Sequence, residues 1–419
     1  MKRSTRTMRL ASVAAASALV LAACGGGGDD GDDDEATPSK SDGVLTVGSL
    51  LPQTGSLAFL GPPEFAGVDL AVQEINEAGG VLGEDVVHVK GDSGDTDSGI
   101  APAETDKLLD ADADVIVGAA SSGVSMTVID KIMGAGAVMF SPANTSTDFD
   151  TGKFAEPDLY FRTAPSDILQ GAVLSNLLIE DGKQNVAILA RQDSYGETLA
   201  AEVKKGLEAA GSSVADTVFY GENAQSYDSQ VQEIAQAEPD AVLLIAFEET
   251  TTIIPQLVQA GVGPQDVDTY FVDGNTADYS EDLDPGILEG TKGTIPGADS
   301  SQEFKDRLLE IDDSLDSYAY AAESYDAVIV SALAAIAADS DAGDKIAEEI
   351  VNVTRDGEKC TTFEECKALL EDGEDIDYDG VSGPIELGET GSPTAASIGI
   401  YEYDGENKNS PVDFIDGTI

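Results

Sequence analysis

Residues 43–80 read "GVLTVGSLLPQTGSLAFLGPPEFAGVDLAVQEINEAGG", and this stretch decides the fold. Its first part, "GVLTVGSLLP", is a short apolar run of the kind that forms a buried strand. In "PEFAGVDLAVQEINEAGG" the apolar residues recur at helical spacing, and Gly79-Gly80 ends the pattern. The stretch therefore predicts a strand–loop–helix unit of an α/β fold.

The same unit recurs along the rest of the chain. The strand-like segments "EDVVHVKG", "ADVIVGAA" and "AVMFSP" alternate with the helix-like segments "APAETDKLLD" and "SMTVIDKIMGAG". After Phe161-Arg162-Thr163 the alternation resumes and continues to "DTYFVDG". Repeated β-α units with short loops predict parallel sheets with helices on both faces. We therefore expect an α/β protein of two doubly wound, Rossmann-like lobes.

The length of the chain agrees with two lobes, because about 375 residues follow residue 43 and exceed one ordinary core. The predicted first lobe comprises 44–162 plus 297–398, and the second comprises 163–296 plus 399–419. Three crossovers, near Arg162, Gly293 and Ile400, would form a three-strand hinge. The tail "IGIYEYDGE" is expected to add a strand to the second lobe.

The N-terminus has the layout of a secretory signal peptide. Four basic residues precede the apolar segment Leu10–Ala23, which is too short to span a bilayer as a helix. We predict a signal peptide over 1–23 and a flexible acidic linker over 24–42, since the latter is rich in Gly and Asp. No second apolar run long enough to cross a membrane is expected.

"LAAC", which ends at Cys24, resembles the lipobox of bacterial lipoproteins. That resemblance implies that Cys24 is lipidated and becomes the mature N-terminus, which would anchor the protein to the outer face of the cell membrane. The alternative is a plain signal peptide with an incidental cysteine.

The chain is strongly acidic, with 80 acidic and 22 basic residues and a formal net charge of −58. Loss of the four basic residues in the signal peptide would take the charge from −58 to −62. Such a surface argues against nucleic acid and anionic lipid as partners. The 42% hydrophobic content argues against disorder. A high-salt habitat is one explanation of the acidity that the sequence leaves open.

The two remaining cysteines lie in "KCTTFEEC", and in an exported protein Cys360 and Cys366 are expected to form a small-loop disulfide. Two free thiols are the alternative. The only histidine is His88, far along the chain from both, so no zinc site is expected. No metal or cofactor is predicted.

The loops that follow strands are the candidate binding elements, because ligands of doubly wound sheets lie beyond the carboxyl ends of the strands. "ASSG" and "ANTST" are rich in small hydroxyl residues and open onto predicted helix starts. Backbone N–H groups there suit a carboxylate or another anion. Ordinary N-capping by Ser and Thr is the alternative.

Three blocks resemble one known family in the same order along the chain: "VGSLLPQTGSLAFLGPPEFAGVDLAVQEINEAGGVLG", "YAYAAESYDAVIVSALA" and "DIDYDGVSGPIELGETGSP". The family is the leucine/isoleucine/valine-binding solute receptors of ABC transporters, with the type I periplasmic-binding-protein fold. The likeness extends from about Val44 to Phe414. It implies two lobes that close over a small solute and a closed form that docks on a membrane permease.

The resemblance also implies a pocket. Ser122 and Gly123 would meet the carboxylate of the ligand, together with Ala143 and Thr145. Tyr195 would reach the ligand from the second lobe; packing of this tyrosine on its own lobe is the alternative.

Other implied positions form the walls of the pocket. Phe247 would pack on the ligand, although it is also a candidate core residue at a strand end. Leu60 and Tyr320 would contact the side chain of the ligand.

The acid that binds the amino group in the family aligns with Asn275, which is a departure because an amide carries no charge. Asp273 or Glu323 would then pair with the ammonium group, or the ligand would lack a free α-amine. Asp273 is also a candidate turn residue.

No catalytic motif occurs in a convincing context, whether HExxH, GxSxG, a P-loop or GxGxxG, so we do not expect an enzyme. The leading hypothesis is an extracytoplasmic solute-binding lipoprotein of an ABC importer, with a branched-chain amino acid as the leading ligand. Other amino acids, amides, urea-like compounds and small carboxylates follow. A sensor receptor of the same fold and a structural lipoprotein are the competing functions.

Overall fold

The computed structural model describes residues 41–154, 158–222, 224 and 226–419. The predicted signal peptide, Cys24 and the linker up to residue 40 lie outside the described residues.

The first lobe is built on a five-stranded parallel sheet, as the alternating pattern predicts. Its strands are β1 Thr46–Leu51, β2 Val87–Asp92, β3 Val115–Gly118, β4 Val138–Ser141 and β5 Tyr160–Arg162, in the order β2-β1-β3-β4-β5. The helices between them are α1 Gly61–Glu77, α2 Ala101–Asp110 and α3 Ser122–Gly134. Helix α1 has prolines in its first turn, where the absent N–H costs nothing, and Gly80 follows it with φ +68°.

The second lobe resumes the alternation. Its strands are β6 Asn185–Arg191, β7 Ser213–Tyr220, β8 Ala241–Ile245, β9 Asp268–Phe271 and β10 Lys292–Pro296, and its helices are α4 Asp167–Glu180, α5 Ser194–Ala210, α6 Asp228–Gln236 and α7 Thr250–Ala260.

The chain then returns to the first lobe. Helices α8 Gln302–Ile311, α9 Ala321–Ala338, α10 Gly343–Ile350 and α11 Phe363–Asp372 are accompanied by a small sheet of β11 Glu358–Cys360, β12 Ile376–Gly380 and β13 Gly383–Pro384. A disulfide joins Cys360 to Cys366, which links the end of β11 to α11.

Two long strands, β14 Ala395–Tyr403 and β15 Asn409–Thr418, complete the second sheet in the order β15-β14-β10-β9-β8-β6-β7. The tail "IGIYEYDGE" therefore does form a strand, and β14 pairs antiparallel with β10. β14 begins before the predicted boundary at 399; the lobe boundaries as such stay a prediction. The alternation does not predict β15, because this edge strand is mostly exposed and polar.

Helix α9 corrects one expectation. By length and composition alone it is apolar enough to cross a membrane, but 83% of it is buried inside the protein. It packs along α1 in the core of the first lobe. The apolar run is explained by burial on all sides of a core helix.

Candidate ligand-binding cleft

A small cavity lies between the lobes, and apart from the segment before α9, which contributes Tyr320, the loops that reach it follow strand ends. Loops after β1, β3 and β4 contribute from the first lobe, and loops after β6, β8 and β9 contribute from the second. This is where doubly wound sheets bind ligands. The lining residues are Leu57, Leu60, Ala120, Ser121, Ser122, Ala143, Tyr195, Phe247, Asp273, Gly274 and Tyr320.

The lobes are closed on each other around this central cavity. The volume of the central cavity is about 10 Å³, which is room for roughly one water molecule. A ligand of amino-acid size therefore requires the lobes to separate before it can enter.

Asp273 is the charged residue of the central cavity and is 6% exposed. Its Oδ1 accepts hydrogen bonds from the Tyr195 hydroxyl (2.7 Å) and from Gln170 Nε2 (2.8 Å). Its Oδ2 accepts one from the Tyr320 hydroxyl at 2.8 Å, across the cleft. Burial raises the pKa of Asp273, and the hydrogen bonds from Tyr195, Gln170 and Tyr320 counteract that rise. Among the described residues, no cationic side chain contacts this carboxylate.

The aromatic wall beside Asp273 is held by a buried arginine. The rings of Tyr195 and Phe247 stack with centroids 5.5 Å apart. The Arg191 guanidinium lies 3.5 Å from the centroid of Phe247. Gly274 lets the backbone of the turn after β9 lie close to the Phe247 ring, since a Cβ at this position would lie 2.6 Å from that ring.

Arg191 is in turn held by carboxylates. It forms ion pairs with Asp193 (2.5 Å), Glu249 (2.8 Å) and Glu222 (3.4 Å). Asp193 also caps α5 by accepting a hydrogen bond from Gly196 N at 2.7 Å, which sets the position of Tyr195 in the first turn. The ion pairs and the cap thus fix the position of the aromatic wall.

The opposite wall consists of small residues around the start of α3. Ser121 caps this helix and Ser122 begins it, so N–H groups of its first turn lie beside the central cavity. Asn144 supports the loop before them by donating to Ala119 O (3.0 Å) and Ala120 O (2.9 Å). A helix start of this kind favours an anionic group.

Arg162, fully buried at the hinge, organises the loop after β4. Its guanidinium donates to the carbonyl oxygens of Asn144 (3.1 Å) and Ser146 (2.9 Å) and pairs with Asp150 at 2.6 Å. The pKa of Asp150 is lowered, because Arg162 and the hydrogen bonds to the carboxylate outweigh the effect of burial.

Four predicted site residues do not line the central cavity. Gly123 lies at the lobe boundary, where a Cβ would approach Thr96 and Asp193. Thr145 is fully buried, and its carbonyl accepts from Asp167 N at 2.7 Å. Glu323 lines two neighbouring cavities instead.

Asn275 is the fourth residue that lies outside the lining of the central cavity. Its amide donates to Leu244 O (3.2 Å) and Thr250 Oγ1 (3.1 Å), and its Oδ1 accepts from Val272 N (2.9 Å). These bonds tie the turn after β9 to its own lobe, and the side chain does not line the central cavity. Asp273, two residues earlier, is the residue that faces the central cavity.

Further lining residues lie beside the predicted positions, and two of them, Ala120 and Ser121, belong to the predicted binding loop "ASSG". Leu57, Ala120, Ser121 and Gly274 line the central cavity, and they stand within one to three residues of predicted positions. Gln170 lies on α4, far along the chain, and nothing in its helical pattern indicates a contact with Asp273. Among the described residues, no group of three or more His, Cys, Asp or Glu side chains is placed to hold a metal ion.

Comparison with known proteins gives a consistent result. A profile described as "Periplasmic binding protein" matches residues 44–407. The chemotactic signal transduction system substrate-binding protein BasB of Halobacterium salinarum is 26% identical over 355 residues, 82% of this chain and 83% of that protein. The leucine-, isoleucine-, valine-, threonine-, and alanine-binding protein of Pseudomonas aeruginosa is 30% identical over 267 residues, 62% of this chain and 68% of that protein.

Among solved structures, a leucine binding protein, LivK, from Thermotoga maritima superposes with a TM-score of 0.73 at 21% identity. The match covers 89% of this chain and 99% of that one. At this identity the likeness concerns the fold, which is the two-lobed arrangement described above.

Proposed function

The chain belongs to the periplasmic binding protein family, and we propose that it captures an amino acid outside the cell and delivers it to an ABC permease. Members of the family are solute-binding proteins rather than enzymes. A branched-chain amino acid is the leading candidate ligand.

The observation that carries this proposal is the environment of Asp273. Its carboxylate is buried and receives three hydrogen bonds from neutral donors, Tyr195, Gln170 and Tyr320. A buried carboxylate is costly unless a cation compensates it. The α-ammonium group of an amino acid supplies that charge. We therefore assign the pairing with this group to Asp273, in preference to the two alternatives, Glu323 and a ligand without an amine.

The other two parts of an amino acid match the remaining walls. Its carboxylate suits the start of α3 at Ser121 and Ser122, since the N-terminus of a helix favours an anion. Its side chain suits the apolar wall of Leu57, Leu60 and Phe247. The relative from Pseudomonas aeruginosa carries leucine, isoleucine and valine in its name, which supports an aliphatic ligand.

Lobe closure follows from a ligand that contacts both walls. Such a ligand binds the closed form more tightly than the open form, so it shifts the equilibrium by that difference in affinity. The proposed lobes, 44–162 plus 297–398 and 163–296 plus 399–419, would move about the three hinge crossovers. The "LAAC" sequence ending at Cys24 supports lipid anchoring on the outer face of the membrane.

The test is a binding survey on purified full-length protein, first unfolded and refolded to release any bound solute. Thermal shift and calorimetry are run with aliphatic, aromatic, basic and acidic amino acids, amides and small organic acids. A ligand at 100 times its Kd adds about 2.7 kcal/mol of stability, which is readily measured. We expect L-leucine, L-isoleucine or L-valine to bind and their deaminated acids not to bind. Binding of compounds without an α-amine alone would overturn the assignment of Asp273.

A receptor role is the second candidate, because the Halobacterium salinarum relative belongs to a chemotactic signal transduction system. Deletion of the gene separates the two roles. Loss of uptake of the radiolabelled solute supports the importer, whereas intact uptake with loss of taxis toward that solute supports the receptor.

A further inference from the structure

A second, larger space adjoins the central cavity. This side cavity has a volume of about 550 Å³, within the size range of small-molecule sites. Tyr320 lines both the central cavity and the side cavity, and Phe59 and Tyr401 also line the latter. Both lobes contribute to the side cavity, so closure shapes it together with the central one.

Glu323 supplies the side cavity with a buried, uncompensated acid. It is 4% exposed, and it lines the side cavity without an ion pair or a side-chain donor among the described residues. Within the part of the chain that the structure describes, the one hydrogen bond to its carboxylate comes from its own backbone N–H. Burial, with the nearby Asp326, raises the pKa of Glu323 to about 8.

The two lysines of the side cavity do not neutralise Glu323. Lys305 pairs with Asp299 at 3.2 Å, and Lys408 pairs with Asp278 at 3.9 Å. A buried carboxyl that faces an open space without a cation is a site that a cationic group would stabilise.

Tyr320 connects the two spaces. Its hydroxyl donates to Asp273, and it stands at the start of α9, one helical turn before Glu323. Its φ of +58° lies in the left-handed region, which is uncommon for a bulky residue and is associated with functional sites. An ammonium group that replaces the Tyr320 hydroxyl at Asp273 would free this ring to move aside and join the cavities.

We propose that the side cavity receives the distal end of the ligand, and that this end is cationic: an amino acid whose side chain carries an ammonium or guanidinium group. Its α-ammonium group lies at Asp273 and its tail ends at Glu323. Tyr320 contacts Asp273 and lines the side cavity together with Glu323, so a long side chain that leaves Asp273 beside this ring leads toward Glu323. This inference rests on the proposed capture of an amino acid and, within that class, replaces the branched-chain candidate by a basic amino acid.

The experiment is calorimetry on the full-length protein with L-arginine, L-lysine, L-citrulline and L-leucine. Citrulline matches arginine in length but has no charge. We expect arginine or lysine to bind at least tenfold more tightly than citrulline. We expect Glu323→Gln to abolish this preference, and Glu303→Gln, at an exposed position of α8 outside both cavities, to leave it intact.

A proton balance provides an independent readout. At pH 7 the protonated Glu323 should lose its proton when a cation binds, so calorimetry in two buffers of different ionisation enthalpy should detect about one released proton per arginine. Glu323→Gln should abolish that release. Because Gln imitates the protonated acid, the melting temperature of the unliganded variant should match that of the parent protein, which shows that it folds.

Each outcome decides the matter. Equal affinity for arginine and citrulline, or a preference that survives in Glu323→Gln, overturns the cationic subsite. Tight binding of leucine without binding of basic amino acids overturns the subsite and leaves the proposed function standing. If no amino acid binds, the proposed function fails, and the subsite fails with it.

Discussion

Tyr195 is the residue whose hydroxyl joins the aromatic wall to the acid of the central cavity. It donates to Asp273 and accepts from Gly274 N at 3.3 Å. Tyr195→Phe removes both bonds and keeps the ring. Since a hydrogen bond to a charged group contributes about 1.5–3 kcal/mol, we expect roughly tenfold to hundredfold weaker ligand binding by calorimetry.

Tyr279→Phe is the matched control for that variant. The Tyr279 hydroxyl donates to Asn275 O at 3.0 Å and is buried in the second lobe away from the central cavity. Its loss should lower the melting temperature without changing affinity. Unchanged affinity in Tyr195→Phe would remove Tyr195 from the site.

Arg191 is predicted to act on the ligand through Phe247. Arg191→Lys keeps a positive charge among Asp193, Glu222 and Glu249 but loses the planar stacking surface. A cation–π contact contributes about 1–2 kcal/mol in a desolvated setting, and because it is also made without ligand, we expect binding to weaken by at most about thirtyfold.

The corresponding control for Arg191 is Arg355→Lys, at a position that contacts Leu387 O in the first lobe. It should leave affinity unchanged. An Arg191→Lys protein that binds as the parent does would show that the position of Phe247 does not depend on the guanidinium.

Between elements, the loops after β2 and β7 form a contact across the mouth of the cleft. The Thr96 hydroxyl donates to Glu222, and these residues belong to different lobes. Separation of the lobes would break this bond. We expect Thr96→Val to raise the ligand dissociation rate about fivefold, equivalent to about 1 kcal/mol, and to leave the association rate unchanged in stopped-flow measurements.

Thr54→Val provides the comparison for the interlobe contact. The Thr54 hydroxyl also donates to a carboxylate, Asp92 Oδ2, at 2.7 Å, but both residues belong to the first lobe. Its kinetics should match those of the parent protein. A Thr96→Val protein with an unaltered dissociation rate would exclude this contact as a stabiliser of the closed form.

Across the whole molecule, buried acids set the pH dependence of stability. Burial raises the pKa of Asp114, Asp167 and Glu323 to about 8 and that of Asp326 to about 6. Their contribution to stability is complete below the unfolded pKa values near 4 and is lost as pH rises through 6–8.

Acids with lowered pKa values act in the opposite direction and only at lower pH. Asp69, Asp150, Asp181 and Asp341 lose their contribution below about pH 4, as they become protonated in the folded state. We therefore expect the melting temperature to be higher at pH 5 than at pH 8. Asp114→Asn, which preserves an acceptor for Thr46 N, should reduce that difference, and a higher melting temperature at pH 8 would contradict the prediction.

The net charge of −58 predicts that salt also affects the stability of the whole molecule. Raising the salt from 0.1 to 1 M shortens the screening length from about 10 to about 3 Å and weakens the repulsion among surface carboxylates. We expect the melting temperature to rise with NaCl and equally with KCl. An effect of one cation alone would indicate specific binding instead of screening.

The sequence by itself determined the two-lobed α/β architecture and the loops that form the cleft. Hydrophobic periodicity records which faces of helices and strands are buried, and parallel strands bring their carboxyl ends to one edge. Periodicity and strand ends indicated the loops, and the family resemblance indicated Leu60, Ser122, Ala143, Tyr195 and Phe247 within them; all five line the central cavity.

Only the tertiary structure decided which side chains of those loops face the cavity. Asp273 and Asn275 share one short turn, yet the first faces the cleft and the second bonds to its own lobe. Gln170 reaches Asp273 from a distant helix, and Glu323 faces the side cavity while Tyr320 faces both. The physical reason is that spacing along the chain specifies the buried face of a regular element, whereas the direction of a side chain in a turn depends on the packing of both lobes.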